Sequence, residues 1–326
     1  MKITMAHGSG GKSSAELMQG VFGKHFSNEV LDKMEDAAVL DIQGRIAFST
    51  DSFVVTPLIF KGGDIGKLSV CGTVNDLLMM GAKPLYITSA YILEEGLDVD
   101  ILDTVAASMA KTAGEAGVKI VAGDTKVIEG NGGLMINTTG IGLIPDGRDI
   151  SAANIEEGDA VIVSGYLGDH HACILSARME LENNIESDCA PLNTIVDALF
   201  HTGVEVKAMR DVTRGGLGTM LNELARTSGV SIEIKERAIP VRDNVRGFCD
   251  ILGLDPLYMG NEGKMLAVVK GDDAEKALKA IQSTELGKDA AILGQAVKGS
   301  GVIMETRLGG KRVVDMLYGE GLPRIC

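Results

Sequence analysis

The side chains of this chain able to do chemistry gather at its C-terminus, in an N-terminal glycine loop and at a few acidic turns between them. The last residues are Gly319-Glu320-Gly321-Leu322-Pro323-Arg324-Ile325-Cys326. Gly319 and Gly321 open backbone angles closed to other residues, and Pro323 stiffens the approach. A short arm of this kind can carry its terminal thiol to a distant site. The α-carboxylate of Cys326 disfavours the thiolate, so activation must come from wherever the arm docks. A movable group carrier and a free cysteine on a frayed terminus both fit these residues taken alone.

Near the other end, His7-Gly8-Ser9-Gly10-Gly11-Lys12-Ser13-Ser14 contains Gly-Lys-Ser but is no P-loop. The glycine required five residues before the Gly-Lys pair is replaced by Ala6, and no full buried strand fits before it. What remains is a Gly/Ser loop with one lysine, whose amides can close over phosphates. A disordered arm is the alternative. Aspartates recur beside apolar runs: Asp36 before Ala37-Ala38-Val39-Leu40, Asp51 after Ile46-Ala47-Phe48-Ser49-Thr50, Asp76 within Val74 to Met80, and Asp124 after Val118 to Ala122. An unpaired carboxylate is costly in such places. Four together suggest Mg2+ held through carboxylates and phosphate oxygens, although a lone aspartate at a strand end is commonly a turn residue. Further on, Met209-Arg210-Asp211-Val212-Thr213-Arg214-Gly215-Gly216 joins a charged turn to a glycine-rich helix start, a second candidate anion cradle. Glu262 lies in the turn Asn261-Glu262-Gly263. Asp169-His170-His171 reads as a helix start capped by Asp169 rather than a metal site, because adjacent helical positions do not face one another.

The elements that must position these groups alternate without a strict β-then-α order. A helix over 65–80, a strand over 85–93, a helix over 98–116, a strand over 118–122 and a long β run over 134–144 form the first half. Strands at 160–165 and 265–269 and a helix over 216–225 mark the second. Two α+β domains follow, 1–150 and 151–306, with a mobile tail over 307–326. A length of 326 residues suits two cores, and with aromatics at 4% and no Trp these rest on aliphatic side chains. A net charge of −14 argues against nucleic-acid or anionic-membrane binding. Five scattered cysteines, an odd number without a C-x-x-C pair, fit reduced thiols in the cytoplasm. No leader or transmembrane-length apolar run is seen.

In their order, Asp36-Ala37-Ala38-Val39, Ser49-Thr50-Asp51, Val74-Asn75-Asp76-Leu77 with Met80-Gly81-Ala82, and Arg210-Asp211-Val212-Thr213 with Gly215-Gly216-Leu217 resemble the ATP-using superfamily of aminoimidazole ribonucleotide synthetase, selenophosphate synthetase and thiamine-monophosphate kinase. Within it, the loop at His7 to Lys12, the Gly123-Asp124-Thr125-Lys126-Val127 element and the terminal Pro323-Arg324-Ile325-Cys326 are similar to the hydrogenase-maturation carbamoyl dehydratases, the HypE family, along the whole chain. The resemblance implies a two-domain fold, usually dimeric through the N-terminal domains. It implies ATP bound by Gly8, Gly10, Gly11, Lys12, Asn75 and Asp124, with Mg2+ on Asp36, Asp51, Asp76 and Asp211. It further implies that Cys326 carries a carbamoyl group loaded by the carbamoyltransferase HypF. ATP-dependent dehydration would turn this group into a thiocyanate, with Lys126 and Glu262 handling protons. The cyanide would pass through the HypC–HypD complex to the iron of a [NiFe]-hydrogenase. A selenophosphate synthetase-like kinase or ligase, or a scaffold that merely binds nucleotide, is the competing reading. The former lacks its reactive residue here, since no Cys lies between Met1 and Val70.

Overall fold

The computed structural model describes residues 1–8, 11–33 and 37–316. Gly10, Asp36 and Cys326, all assigned roles above, lie outside the described residues. A helical run opens the chain, with α1 (Gly11–Leu17) and α2 (Lys24–Phe26) joined by a π-helical turn at Met18–Gly23. There follow β1 (Arg45–Phe53), the small ribbon β2 (Ile59–Phe60) and β3 (Gly63–Asp64), then α3 (Ile65–Met79). The first half closes with β4 (Lys83–Glu94), α4 (Val99–Ala116), β5 (Lys119–Ile128) and β6 (Leu134–Ile144). Its four-stranded sheet runs in the order β1-β6-β4-β5. Only β4 and β5 are parallel, and α4 makes the crossover between them.

The second half contributes β7 (Ala160–Val163), α5 (Asp169–Arg178), α6 (Asn193–His201), β8 (Val206–Asp211) and α7 (Gly216–Ser228). It continues through β9 (Ser231–Lys235), α8 (Asp243–Leu252), β10 (Met265–Val269), α9 (Ala274–Gln282), β11 (Ala291–Val297), β12 (Gly301–Glu305) and β13 (Lys311–Val314). Its seven strands are ordered β13-β12-β9-β11-β7-β10-β8. Both units are α+β, as the pattern of elements predicts.

Helix α3 packs against both units. It starts at Asp64, whose Oδ1 accepts the Gly66 and Lys67 N–H groups at 2.7 and 2.9 Å. Such a cap is worth about 1 kcal/mol. Nearly every residue of α3 is buried, because one side lies on β1 and β6 while another meets β8 of the second unit. Gly66 lets it approach α4: a Cβ there would stand 2.5 Å from the Val105 carbonyl. One continuous apolar core therefore runs from Leu68, Val70 and Val74 into Met209, Met265 and Ala267.

Three expectations are corrected. The mobile tail expected from Arg307 is corrected over its first part, since Lys311–Val314 pairs antiparallel with β12, with ion pairs Lys311–Glu233 and Arg312–Asp255. Asp124 and Lys126 are not in a turn after a strand ending at Ala122. They lie inside β5, because the parallel register with β4 continues through Ala90–Asp124 and Ile92–Lys126. Asp169 does not cap α5; Gly168 occupies that position, and the Asp169 carboxylate pairs with Arg242 at 3.1 Å.

His171, buried in α5, yields a stability prediction. Its Nδ1 accepts the Gly260 N–H at 3.4 Å. Burial first, then His170 and Arg178, lowers its pKa from 6.5 to about 4. A histidine held neutral in the fold contributes stability above its unfolded pKa, and this is lost as pH falls through 6.5 towards 4. The shift corresponds to about 3 kcal/mol by pH 4. Urea unfolding between pH 7 and pH 4 should show this loss in the parent and a shallower one in His171→Leu. Equal slopes would remove His171 as the cause.

Candidate functional site

Three of the expected metal carboxylates meet where α3 is wedged between the two sheets. Asp51 projects from β1 on the face covered by α3. Ser49, two residues earlier on that face, donates its hydroxyl to Asp76 Oδ2 at 2.5 Å. Asp211 ends β8, opposite Met265 of β10. Burial raises the proton affinity of Asp76, and the Asp51 charge adds to it. Asp51 is raised by burial and partly relieved by Arg214, whose Nη2 stands 4.0 Å from its Oδ1. Asp211 is pushed up to about 7, by burial first and then by Asp76 and Asp51. The cluster thus carries more negative charge than its surroundings offset. Among the described residues no three His, Cys, Asp or Glu side chains converge closely enough to hold an ion by themselves. A hard cation sharing one or two of these carboxylates with phosphate oxygens and water fits such a donor set.

Glu262 stands beside this cluster and is only 4% exposed. Burial, followed by the neighbouring Cys189, Asp211, Asp188 and Asp51, raises its pKa well above the usual carboxylate range. Its backbone is gripped from both sides. The Glu262 N–H donates to Asp188 Oδ1 at 3.1 Å, and its carbonyl accepts the Ala190 N–H at 3.4 Å. The Asp188 side chain is 3% exposed and pairs through Oδ2 with Lys264 Nζ at 3.4 Å, an ion-pair contact without hydrogen-bond alignment. Gly263 is required here, because a Cβ would lie 1.8 Å from the Asp188 carbonyl.

Asn75, expected at the nucleotide, is 2% exposed, and both ends of its amide are committed to backbone. Nδ2 donates to the carbonyls of Ala190 at 3.1 Å and Glu262 at 3.4 Å, while Oδ1 accepts the Leu192 N–H at 2.9 Å. The glycines that open α7 serve close packing. A Cβ on Gly216 would meet the Tyr258 backbone at 2.5 Å, and one on Gly218 the Tyr258 ring at 2.6 Å.

The remaining expected residues sit elsewhere in the same chain. Lys126 and Asp124 alternate onto the uncovered face of β5, 3.5 Å apart and both well exposed. Gly8 packs on that strand, where a Cβ would stand 2.8 Å from the Val127 nitrogen. Gly11 opens α1. Lys12 pairs with Glu16 at 3.6 Å on the surface. β5 and β1 are opposite edges of the sheet, separated by β6 and β4, or about 14 Å of strand spacing. Within one chain, therefore, Lys126, Gly8 and Lys12 are brought neither to Glu262 nor to the aspartate cluster. Sequence reasoning assigned no role to Asp188 or Lys264, and it quoted Ser49 only as part of the Ser49-Thr50-Asp51 motif. Lys264 directly follows the Asn261-Glu262-Gly263 turn, a signal that could have drawn attention, whereas Asp188 carried none.

Family models named AIR synthase related protein match this chain twice, the N-terminal domain over residues 34–144 and the C-terminal domain over 156–306. The carbamoyl dehydratase HypE of Rhodobacter capsulatus is 47% identical over 335 residues, covering 100% of this chain and 98% of that protein. The chain belongs to the HypE family. A crystal structure of hydrogenase maturation protein HypE in complex with ATP superposes with a TM-score of 0.95 at 46% identity, over 99% of each chain. HypE in a HypE–HypF complex superposes with a TM-score of 0.82 at 48% identity, over 92% of this chain and 99% of that one. The two matched ranges enclose β1 to β6 and β7 to β12 of this HypE-family fold, and α3 joins them. Among the described residues no helix is long and apolar enough to cross a membrane.

Proposed function

We propose that this chain is an ATP-dependent carbamoyl dehydratase acting on its own terminal thiol. Cys326, loaded by a HypF-type carbamoyltransferase, carries an S-carboxamide, and the product is an S-cyanate passed to a HypC–HypD complex as the cyanide ligand of a [NiFe]-hydrogenase iron. The observation that carries this reading is Glu262, buried at the domain seam beside the three aspartates. In the reaction the carboxamide oxygen attacks the γ-phosphate of ATP and ADP leaves. The phosphorylated oxygen then departs as phosphate, its bond electrons leaving with it. The two N–H protons are taken up by bases as the C–N triple bond forms. A buried carboxylate with raised proton affinity is a stronger base than a solvated one, and Glu262 is the group of that kind beside the cluster. One or two of Asp51, Asp76 and Asp211 would hold Mg2+ through their carboxylates, together with phosphate oxygens and water; Asp36, expected to join them, lies outside the described residues. When bound, Mg2+ supplies positive charge against the phosphates.

The reading includes a homodimer formed through the uncovered sheet face. Ile46, Phe48, Ile92 and Ile128 are exposed on that face together with Lys126, an apolar surface that a second copy would cover. A two-fold pairing of such faces sets the β5 edge of one copy, with Lys126, Asp124, Gly8, Gly11 and Lys12, against the β1 edge of the other. Lys126 then serves the Glu262 of its partner. The four described cysteines are free and buried, as suits a reducing cytoplasm.

The decisive measurement is the mass of the C-terminal peptide of carbamoylated protein before and after Mg2+-ATP. Loss of one water confined to the Cys326 fragment is expected, and an unchanged mass with ATP hydrolysed would overturn the reading. A separate test addresses the aspartates. Asp76→Asn should weaken Mg2+-ATP binding about tenfold or more, a cost of roughly 1.4 kcal/mol. It should also raise the metal-free melting temperature by relieving repulsion with Asp51 and Asp211. Calorimetric titration at limiting Mg2+ with undiminished affinity would exclude Asp76 from the site.

A further inference from the structure

We infer that Asn75 is a positioning residue that holds Glu262 in place from across the domain seam, and that α3 thereby ties the base to the nucleotide-side carboxylate one residue further on. The inference rests on the carbamoyl dehydratase reading and deepens it. Asn75 belongs to the first unit, and every partner of its side chain belongs to the second. Its Oδ1 accepts from Leu192, and its Nδ2 donates to the carbonyls of Ala190 and Glu262. Ala190 in turn donates to that same Glu262 carbonyl, and Asp188, two residues earlier, accepts the Glu262 N–H. The segment 188–192 is thus a bracket around Glu262, and Asn75 is the side chain from the other unit that fastens the bracket. An asparagine suits the task because the bracket needs both an acceptor and two donors at one buried point.

The neighbouring residue gives the arrangement its consequence. Asp76 faces Ser49 and the Asp51–Asp211 cluster, while Asn75 faces the bracket. Consecutive helical positions point about 100° apart, so one rigid helix presents one side chain to each. A shift of α3 at the aspartates must carry the bracket with it. Both amide N–H groups are spent on backbone carbonyls, and Oδ1 is turned to the Leu192 N–H in a side chain only 2% exposed, so Asn75 acts on the reaction through Glu262.

Two variants test this. Asn75→Asp keeps the acceptor for Leu192 but removes the donors to Ala190 and Glu262. Asn75→Ala removes both without placing a charge at the seam. Each is prepared as full-length protein, checked for cooperative melting, and loaded on Cys326. Mg2+-ATP affinity, measured calorimetrically, should stay within about threefold of the parent. The rate of conversion of the C-terminal peptide should fall by about 100-fold, the scale expected when a catalytic group is misplaced by an ångström. In a Glu262→Gln background the same substitutions should cost almost nothing more, because they act through the group already removed. A structural defect elsewhere would instead multiply the two losses. Weakened ATP binding in step with the rate would make Asn75 a nucleotide ligand, and full additivity would make it a general stabiliser; either overturns the inference. Should Asn75→Asp not fold, the alanine variant carries the same comparison. Failure of the parent itself to convert would sink the dehydratase reading instead, so the two are distinguishable.

Discussion

Glu262→Gln should bind Mg2+-ATP about as tightly as the parent and leave the loaded thiol as carboxamide, with conversion slowed by about 100- to 10,000-fold. The amide fills the same volume and keeps the backbone bonds to Asp188 and Ala190, so the bracket survives the change. What disappears is a carboxylate whose proton affinity is raised by burial and by the charges around it. The variant should also be more stable than the parent when metal-free. A buried carboxylate of raised pKa costs stability as pH rises from its unfolded value through its folded one, and the glutamine carries no such cost. Melting temperature against pH measures that gain, and mass spectrometry of the C-terminal peptide measures the chemistry. A variant converting at the parent rate would remove Glu262 from the mechanism.

Lys126→Ala and Glu262→Ala, each inactive alone, are expected to recover activity when co-assembled. Lys126 stands on the uncovered sheet face at the edge opposite the aspartate cluster, and in the proposed dimer it serves the Glu262 of the other copy. In a random mixture half the dimers are mixed, and each of these rebuilds one site of two, giving about a quarter of parental activity. A mixture as inactive as its components would place both residues in one chain's site or take Lys126 out of it. Size-exclusion with light scattering supplies the control, since Phe48→Glu, set on the same face, should yield monomers lacking activity.

Much of this was legible before any fold was known. The aspartates beside apolar runs and the order of the motifs point to the family, because each depends on residue type at a local spacing, and the chemistry then followed from the resemblance. The elements themselves followed from periodicity: α3, β6 and β10 lie within a residue or so of where their apolar patterns put them. Asp124 and Lys126 were misplaced for a local reason. Glycine and aspartate after a buried run signal a turn, yet pairing with β4 carried the strand onward. The end of the second sheet was missed likewise, because a four-residue strand such as Lys311–Val314 shows too few alternations to stand out from a tail.

What the sequence determined by itself is which side chains are present to do the work, and on which elements they ride. Only the tertiary structure decided how they divide. Asn75 and Asp76 are adjacent in the chain and read as one motif, but the rotation of a helix sends one to the domain seam and the other to the carboxylates. Asp188 and Glu262 are 74 residues apart, and nothing in either segment announces the other. Lys126, for all its nearness in the motif order, is turned to the far face of the sheet. Spacing along a chain records local geometry, whereas contact across a seam depends on how two cores pack, and no periodicity encodes that.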